Sequence, residues 1–444
     1  MSSKIPIVVT FFFIFLFPTA IIGQLTARGL GMGGAYTALA RGVHAPLWNP
    51  ANLGLPDNPS FSFTGISLAA GFSNNSITKE MYDRYNGTHL TTYDAEDILK
   101  HIPEDGFGLD MEATLSTLCF SVDRFALTMS VMGGHYLQLD KDCFDILLVG
   151  TKIGKTYSLK KAANEWFAVG LLGLSWGHPV KLFFTDHFAI GGTINILYGG
   201  VYGCVNKAEF SLISKTSGFD VDGNLKYTNA LGNLGWGADV GIAAQFGKRN
   251  RRIGNGWINV GQIWTVSLGL ANVLGGISWS KKIESNLMFI SGDSLNIIRV
   301  LDTSDLNSVI SDSSWMIEGQ RFSTKLPTML RLGCTYEQGS LIMTVDYCQG
   351  FRNGALSSTR PQFALGAEWR WLKWLPLRMG VILGGRPGFG TSFGFGIRPG
   401  SFVLDFGVLN YGYVSVQSSK GFVLALELGM QLNKRTRNNG SDGS

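Results

Sequence analysis

Two short stretches have the residue types and spacing of a chemical site. Gly29, Gly31 and Gly34 fall at the spacing GxGxxG within Gly29–Leu55, GLGMGGAYTALARGVHAPLWNPANLGL. In a dinucleotide site such glycines let the backbone close on a pyrophosphate at a helix N-terminus. That chemistry needs a preceding strand, a βαβ unit and an acidic residue about 20 positions on to hold the ribose. No acid stands there, and an apolar leader precedes the run. Gly390-Thr391-Ser392-Phe393-Gly394 satisfies GxSxG, which makes an exposed nucleophile only at a strand-to-helix elbow. Here Phe389, Phe393, Phe395 and Ile397 carry strand periodicity straight through, so Ser392 reads as a small strand residue. His44, His89, His101, His135, His178 and His187 show no HExxH pair. His178 and His187 flank an expected turn and could meet, but two histidines alone do not make a metal site. No catalytic residue, no cofactor and no metal site is expected, and the chain does not read as an enzyme.

The elements that must carry the remaining residues are set by composition and period. The chain is 45% hydrophobic but only 16% charged, with 58 glycines and 12% aromatics, against about 25% charged residues in an ordinary soluble domain. Residues 1–23 read as a signal peptide: Lys4, an apolar stretch from Ile5 to Phe17, then Pro18-Thr19-Ala20 ahead of a cut after Gly23. After Gln24 no window of about 18 or more uninterrupted apolar residues appears. A membrane role therefore requires a closed barrel. Cys119, Cys143, Cys204, Cys334 and Cys348 include no CxxC pair, and alternation puts Cys334 and Cys348 on opposite faces, against a bond. The net charge of +5 is scattered. Its densest run, Lys248 to Arg252, reads as a loop, and no basic face recurs, so no nucleic-acid partner is expected.

From Ser60 onward the period is two. Phe422, Leu424, Leu426 and Leu428 alternate with Val423, Ala425, Glu427 and Gly429, and Leu341, Met343, Val345 and Tyr347 alternate with Ile342, Thr344, Asp346 and Cys348. One face is large and apolar, the other small, polar or charged, over segments of about ten residues, the length that crosses a bilayer as a strand. Strands are expected at 60–72, 111–121, 124–134, 166–177, 187–203, 234–246, 263–271, 276–289, 327–337, 340–349, 361–371, 376–385, 390–398, 401–409 and 421–432. That odd count breaks the even rule of bacterial barrels. Counting from both ends places the error across 178–233, with either a missed strand near 206–230 or a spurious one. Connections at 122–123, 272–275, 338–339, 372–375 and 399–400 fall on the periplasmic side, and those at 247–262, 290–326, 350–360 and 410–420 outside. Outer insertions at 73–108 and 136–165 read as partly helical. One helix is expected over Tyr93–Ile102 with Asp94 as its cap, another within Asp140 to Lys161. The tail 434–444 reads as disordered.

Gly29-Leu30-Gly31, Ala35-Tyr36 and Asn49-Pro50-Ala51 resemble the N-terminal hatch of the FadL/TodX-type outer-membrane transporters and their PorV-type relatives. The resemblance implies that residues 24–55 fold into the lumen as a plug, and that the barrel over 56–433 has fourteen strands. The period alone allows twelve to sixteen. The fold class expected is thus all-β: a transmembrane antiparallel β-barrel with an N-terminal lumenal hatch, in the bacterial outer membrane. Gly29, Gly31, Asn49 and Pro50 are the candidate hatch residues: Pro50 fixes φ, and the Asn49 amide can satisfy buried backbone groups. Alternation points Asp239, Arg331, Asp346, Glu368, Arg370, Arg378, Asp405 and Glu427 into the lumen. The glycine pairs Gly191-Gly192 and Gly199-Gly200 read as bulges or kinks. The resemblance implies passive uptake of small hydrophobic molecules, with outer-membrane lipid and a small hydrophobic ligand as partners. The alternative is a PorV-type barrel that docks or shuttles secreted or secretion-system proteins.

Overall fold

The structure, a computed structural model, describes residues 25–247, 251–253, 256–258, 261–295 and 311–432. The expected signal peptide, Gln24 and the tail 434–444 lie outside the described residues. The wall is a closed antiparallel barrel of fourteen strands: β1 Phe61–Asn74, β2 Phe107–Val122, β3 Phe125–Leu139, β4 Ala163–Val180, β5 His187–Lys215, β6 Gly218–Phe246, β7 Gln262–Leu295, β8 Met329–Gln338, β9 Leu341–Gly350, β10 Gln362–Leu372, β11 Leu375–Gly384, β12 Gly388–Ile397, β13 Phe402–Gly412 and β14 Ser419–Leu432. Each pairs with its chain neighbours, and β1 pairs with β14 to close the ring. Closure leaves no unpaired edge, which is what a sheet in lipid requires. No described helix is long and apolar enough to cross a membrane.

The alternation places side chains inside out relative to a water-soluble fold. Leu424, Leu426 and Leu428 are 44–48% exposed on the outer face, whereas Val423, Ala425 and Glu427 between them are at most 2% exposed in the lumen. At the end carrying the turns after β2, β8 and β10, Trp369, Trp371, Trp374 and Phe125 stand exposed. Amphipathic rings favour such a position at the border of an apolar band.

The wall is lopsided. Strands β5 and β6 run 29 residues each and β7 runs 34, against 10 or 11 for β8 to β13. The expected segments 187–203 and 234–246 extend until they meet in a hairpin at 216–217, so no strand is missing near 206–230. Beyond the apolar band nothing demands a lipid-facing stripe, which is why the period fades there. The spurious count lies elsewhere: 263–271 and 276–289 are one strand, β7. Asn272 (φ 53°) and Gly275 (φ 108°) bend it without reversing it, and the ladder to β6 shifts register between Leu270 and Leu274. Those turn-forming residues mimic a hairpin. Removing that false turn moves the connection after β6 to the end holding the short turns, not outside, where it carries a two-stranded hairpin, Arg251–Ile253 with Gly256–Ile258.

Two helical expectations change. The helix Thr92–His101 is capped by Thr91, with Asp94 closing a capping box at its third position. Within 140–161 the helix covers only Lys141–Leu148, α-helical spacing giving way to a short strand, Thr156–Leu159, that pairs with the outer part of β5. Gly191 sits in an unbroken ladder and is no bulge, whereas the β4–β5 ladder shifts at Gly200.

Candidate functional site

The segment 25–59 lies inside the barrel, folded by local rules into short turns. Thr26 caps the helix Ala27–Gly31 by accepting from the Gly29 N–H at 3.2 Å. Gly33 and Gly34, at φ 67° and 79°, reverse the chain after it. A second helix, Ala45–Trp48, ends at Asn49, whose side-chain oxygen accepts from Ala51 N–H at 3.0 Å and so caps a 3₁₀ turn, Pro50–Gly54. Pro50 takes the first position of that turn, where its missing N–H costs nothing. Asn52 ties the halves together, donating to the carbonyls of Thr37 at 2.8 Å and Ala40 at 3.0 Å.

Glycines in the wall make the seat. Gly177, Gly191, Gly241 and Gly269 stand side by side across β4, β5, β6 and β7. A Cβ at Gly177 would lie 2.5 Å from Gly54 N, and one at Gly269 2.8 Å from the Trp48 carbonyl; at Gly191 and Gly241 it would overlap Ala51 and Asn49. The bare row lets backbone approach backbone, as glycine in a strand commonly does. Gly31 meets the wall in the same way, its Cβ position 3.0 Å from the Gly394 Cα. Gly29 faces inward instead, with Trp48 and Thr26 filling the space a side chain would need. Asn49 also donates to the wall carbonyls of Ile242 at 2.9 Å and Leu268 at 3.3 Å, and is fully buried. Ser392 of the GxSxG pattern lies within β12 and donates to the Gly31 carbonyl at 3.1 Å.

Of the eight charges expected to point inward, seven fall into three groups. Glu368 and Arg378 are directly opposed on β10 and β11. Arg378 Nε reaches Glu368 at 2.7 Å, its Nη1 lies 2.7 Å from Asp405, and Arg28, Arg370 and Arg398 complete the cluster. A second group grips the segment's backbone: Asp346 accepts from Tyr36 N–H at 2.9 Å and Thr37 N–H at 2.7 Å, and Arg331 donates to the Leu47 carbonyl at 2.6 Å while lying over the Trp48 ring. Glu427, opposite the like-charged Asp405 in register, is held by His44 at 2.6 Å. Burial opposes charge on His44, but Glu427 and the Tyr36 oxygen override it and push its pKa up to about 10. Asp239 stands apart from these, accepting from Asn195 at 2.8 Å and from Asn272 N–H at 2.6 Å at the bend of β7. A cavity of about 730 Å³ lies beneath the segment, lined by Arg28, Tyr36, His44, Arg370, Arg398 and Glu427.

Farther from the short turns the lumen holds a buried apolar cluster beside a few charged groups. Phe167, Val169, Leu197, Ile277 and Trp279 form a buried cluster, joined by Leu356 from the β9–β10 connection. That connection is tied inward by Arg352 to Glu165 at 2.8 Å and by Arg386 to the carbonyls of Gly354 and Ser357, both at 2.7 Å. The sequence reading counted none of Arg28, Tyr36, His44, Asn52, Glu165 or Arg386 among its site residues, although Tyr36 belongs to the stretch that carries the hatch resemblance and His44 was surveyed as a metal ligand. The first four sit on irregular backbone without a period, and the last two sit outside or at the rim of the alternating segments. The five cysteines are free thiols.

Residues 53–407 match the family described as "Family of unknown function (DUF5723)", and the chain belongs to that family. No curated protein matches it. Among solved structures, the toluene transporter TodX of P. putida superposes with a TM-score of 0.50 at 10% identity, over 93% of this chain and 100% of that one. A Pseudomonas aeruginosa FadL homologue gives 0.49 at 13% identity, over 94% and 100%. The likeness to TodX extends to the whole fold.

Proposed function

We propose that this DUF5723 barrel admits small hydrophobic molecules through the bacterial outer membrane without an energy source. The observation that carries the reading is the change of lumen along its axis. The half nearer the short turns is filled by residues 25–59, pinned by buried charges; the farther half holds a buried apolar cluster. An apolar solute gains about 25 cal/mol per Å² on leaving water for such a surface, and the charged half then bars a straight path. The proposed exit is sideways, through β5–β7. There the ladders shift near Gly200 and Leu270–Leu274, and Trp279 fills the space beside Gly199. Residues 25–59 act in this reading as the plug, and the inward charges anchor it.

The test is uptake of radiolabelled toluene by cells carrying the barrel in their outer membrane, beside cells carrying an empty vector, with a pull-down from the same detergent extract. Uptake several-fold above the vector level supports the reading. Vector-level uptake together with stoichiometric recovery of a secreted protein overturns it in favour of docking.

A further inference from the structure

The cavity of about 730 Å³ beneath residues 25–59 has one wall rich in guanidinium. Arg28 from the inner helix, Arg370 near the end of β10 and Arg398 just after β12 all line it. Together with Arg378 they face two carboxylates, Glu368 and Asp405. The other charged groups around the cavity are paired or farther off. Arg41 is held by Asp57 through two nitrogens, and His44 by Glu427. His187, at the start of β5, adds no acid. Glu337 stands two strands from Glu368, with Ile342 between them. Counting Glu337 with Glu368 and Asp405, the guanidiniums of Arg28, Arg370, Arg378 and Arg398 still outnumber the carboxylates by one.

Two of these cations keep donors to offer. Arg398 Nε is buried without a hydrogen bond, and its Nη2 reaches Asp405 only at 3.4 Å. Arg370 gives Nε to Glu368, its Nη nitrogens make no hydrogen bond among the described residues, and its side chain is 34% exposed. The wall beside them holds no side-chain acceptor: Pro376 on β11 lies 3.0 Å from the Cβ position of Gly396 on β12. Buried polar atoms in native proteins are nearly always satisfied, so the unpaired donors and the surplus positive charge both call for an oxyanion. We infer that the cavity binds a small organic anion, a carboxylate or phosphate monoester, whose oxygens take Arg370 and Arg398. Its body rests on Leu39, Phe63, Val403 and Met430, which line the same cavity. The planar guanidinium fork suits either oxyanion. A cationic ligand meets like charge there, and a bare hydrocarbon leaves the donors unpaired. The site goes beyond the uptake reading and does not depend on it. An anion that draws Arg370 away leaves Glu368 to Arg28 and Arg378, and so favours the seated inner segment.

Equilibrium dialysis of the full-length barrel in detergent at fixed ionic strength, against phenyl phosphate, benzoate, benzylamine and inorganic phosphate, tests this. Phenyl phosphate and benzoate are expected to bind about tenfold or more tighter than benzylamine, the factor that one hydrogen bond to a charged group supplies. Inorganic phosphate lacks the ring and is expected to bind about tenfold or more weaker than phenyl phosphate. Arg398→Gln should weaken benzoate about tenfold. Benzoate should also raise the thermal unfolding temperature of the wild type, as any ligand of the folded state does, and not that of Arg398→Gln. Arg370→Gln gives the same reading if Arg398→Gln does not assemble. Benzylamine binding as tightly as benzoate, or no binding of either organic anion, overturns the site. Equal binding of phenyl phosphate and inorganic phosphate overturns the organic class. Unchanged benzoate binding by an assembled Arg398→Gln barrel overturns the assignment to this wall. None of these outcomes turns on toluene uptake.

Discussion

Arg28 grips Glu368 with two nitrogens, Nε to Oε2 at 2.8 Å and Nη2 to Oε1 at 3.0 Å, across 340 residues of sequence. Glu368 is fully buried on the wall, and Arg28 is on the first helix of the inner segment. Bidentate geometry makes this a fixed point rather than a loose attraction. The two partners are unequal, since Glu368 keeps Arg370 and Arg378 when Arg28 is removed.

Arg28→Met should therefore loosen the plug while the wall holds. Glu368→Gln should cost more, because three guanidiniums lose their shared carboxylate. Breaking one side of a buried pair costs about 3–5 kcal/mol, with Arg28→Met expected toward the lower end. Planar-bilayer conductance should rise in both variants, and the thermal shift to the unfolded gel band should fall further for Glu368→Gln. Equal shifts would mean that the cluster does not centre on Glu368.

The His44–Glu427 contact should give the seating of residues 25–59 a pH dependence of one sign. The seated histidine has a pKa of about 10, above the free value near 6.5, so seating favours the protonated ring. That contribution is fully present below about pH 6.5, declines as pH rises, and is gone above about pH 10. Conductance should accordingly grow over that window. His44→Asn should abolish the slope, and retention of the slope would assign it to another group.

The glycine row is where residues 48–54 lie against the wall. Gly191→Ala should push against Ala51, whereas Gly192→Ala, one residue on, meets only the Asp239 carbonyl at 3.5 Å. Overpacking of this kind costs about 1–3 kcal/mol. The expected result is an assembled barrel in both, with raised conductance in Gly191→Ala alone. If Gly191→Ala blocks assembly, the row is needed for closure and does more than seat the plug.

The faces can be read chemically. With the five native thiols replaced, cysteine at 427 should react with a membrane-impermeant reagent applied to the plug-deleted barrel in vesicles, and cysteine at 426 should not. Leu426 is 46% exposed on the outer face and Glu427 is 2% exposed within. Reversed labelling would mean a register slip of one residue, which exchanges the two faces.

By itself the sequence determined what depends on period and composition. Two-residue alternation from β1 to β14 set an all-β wall with alternate residues of each strand on its two faces. It did not determine strand continuity at Asn272–Gly276, because turn-forming residues there bend a strand whose neighbours hold it extended. Nor did it show the reach of β5 and β6 beyond the apolar band, where both faces meet water and the alternation has no cause to persist. Partnerships were decided only by tertiary structure. Arg28 with Glu368, His44 with Glu427, and Gly191 beneath Ala51 join residues hundreds of positions apart or on irregular backbone. Closure of the ring brings them together, and no local rule encodes which side chains then face each other across the lumen.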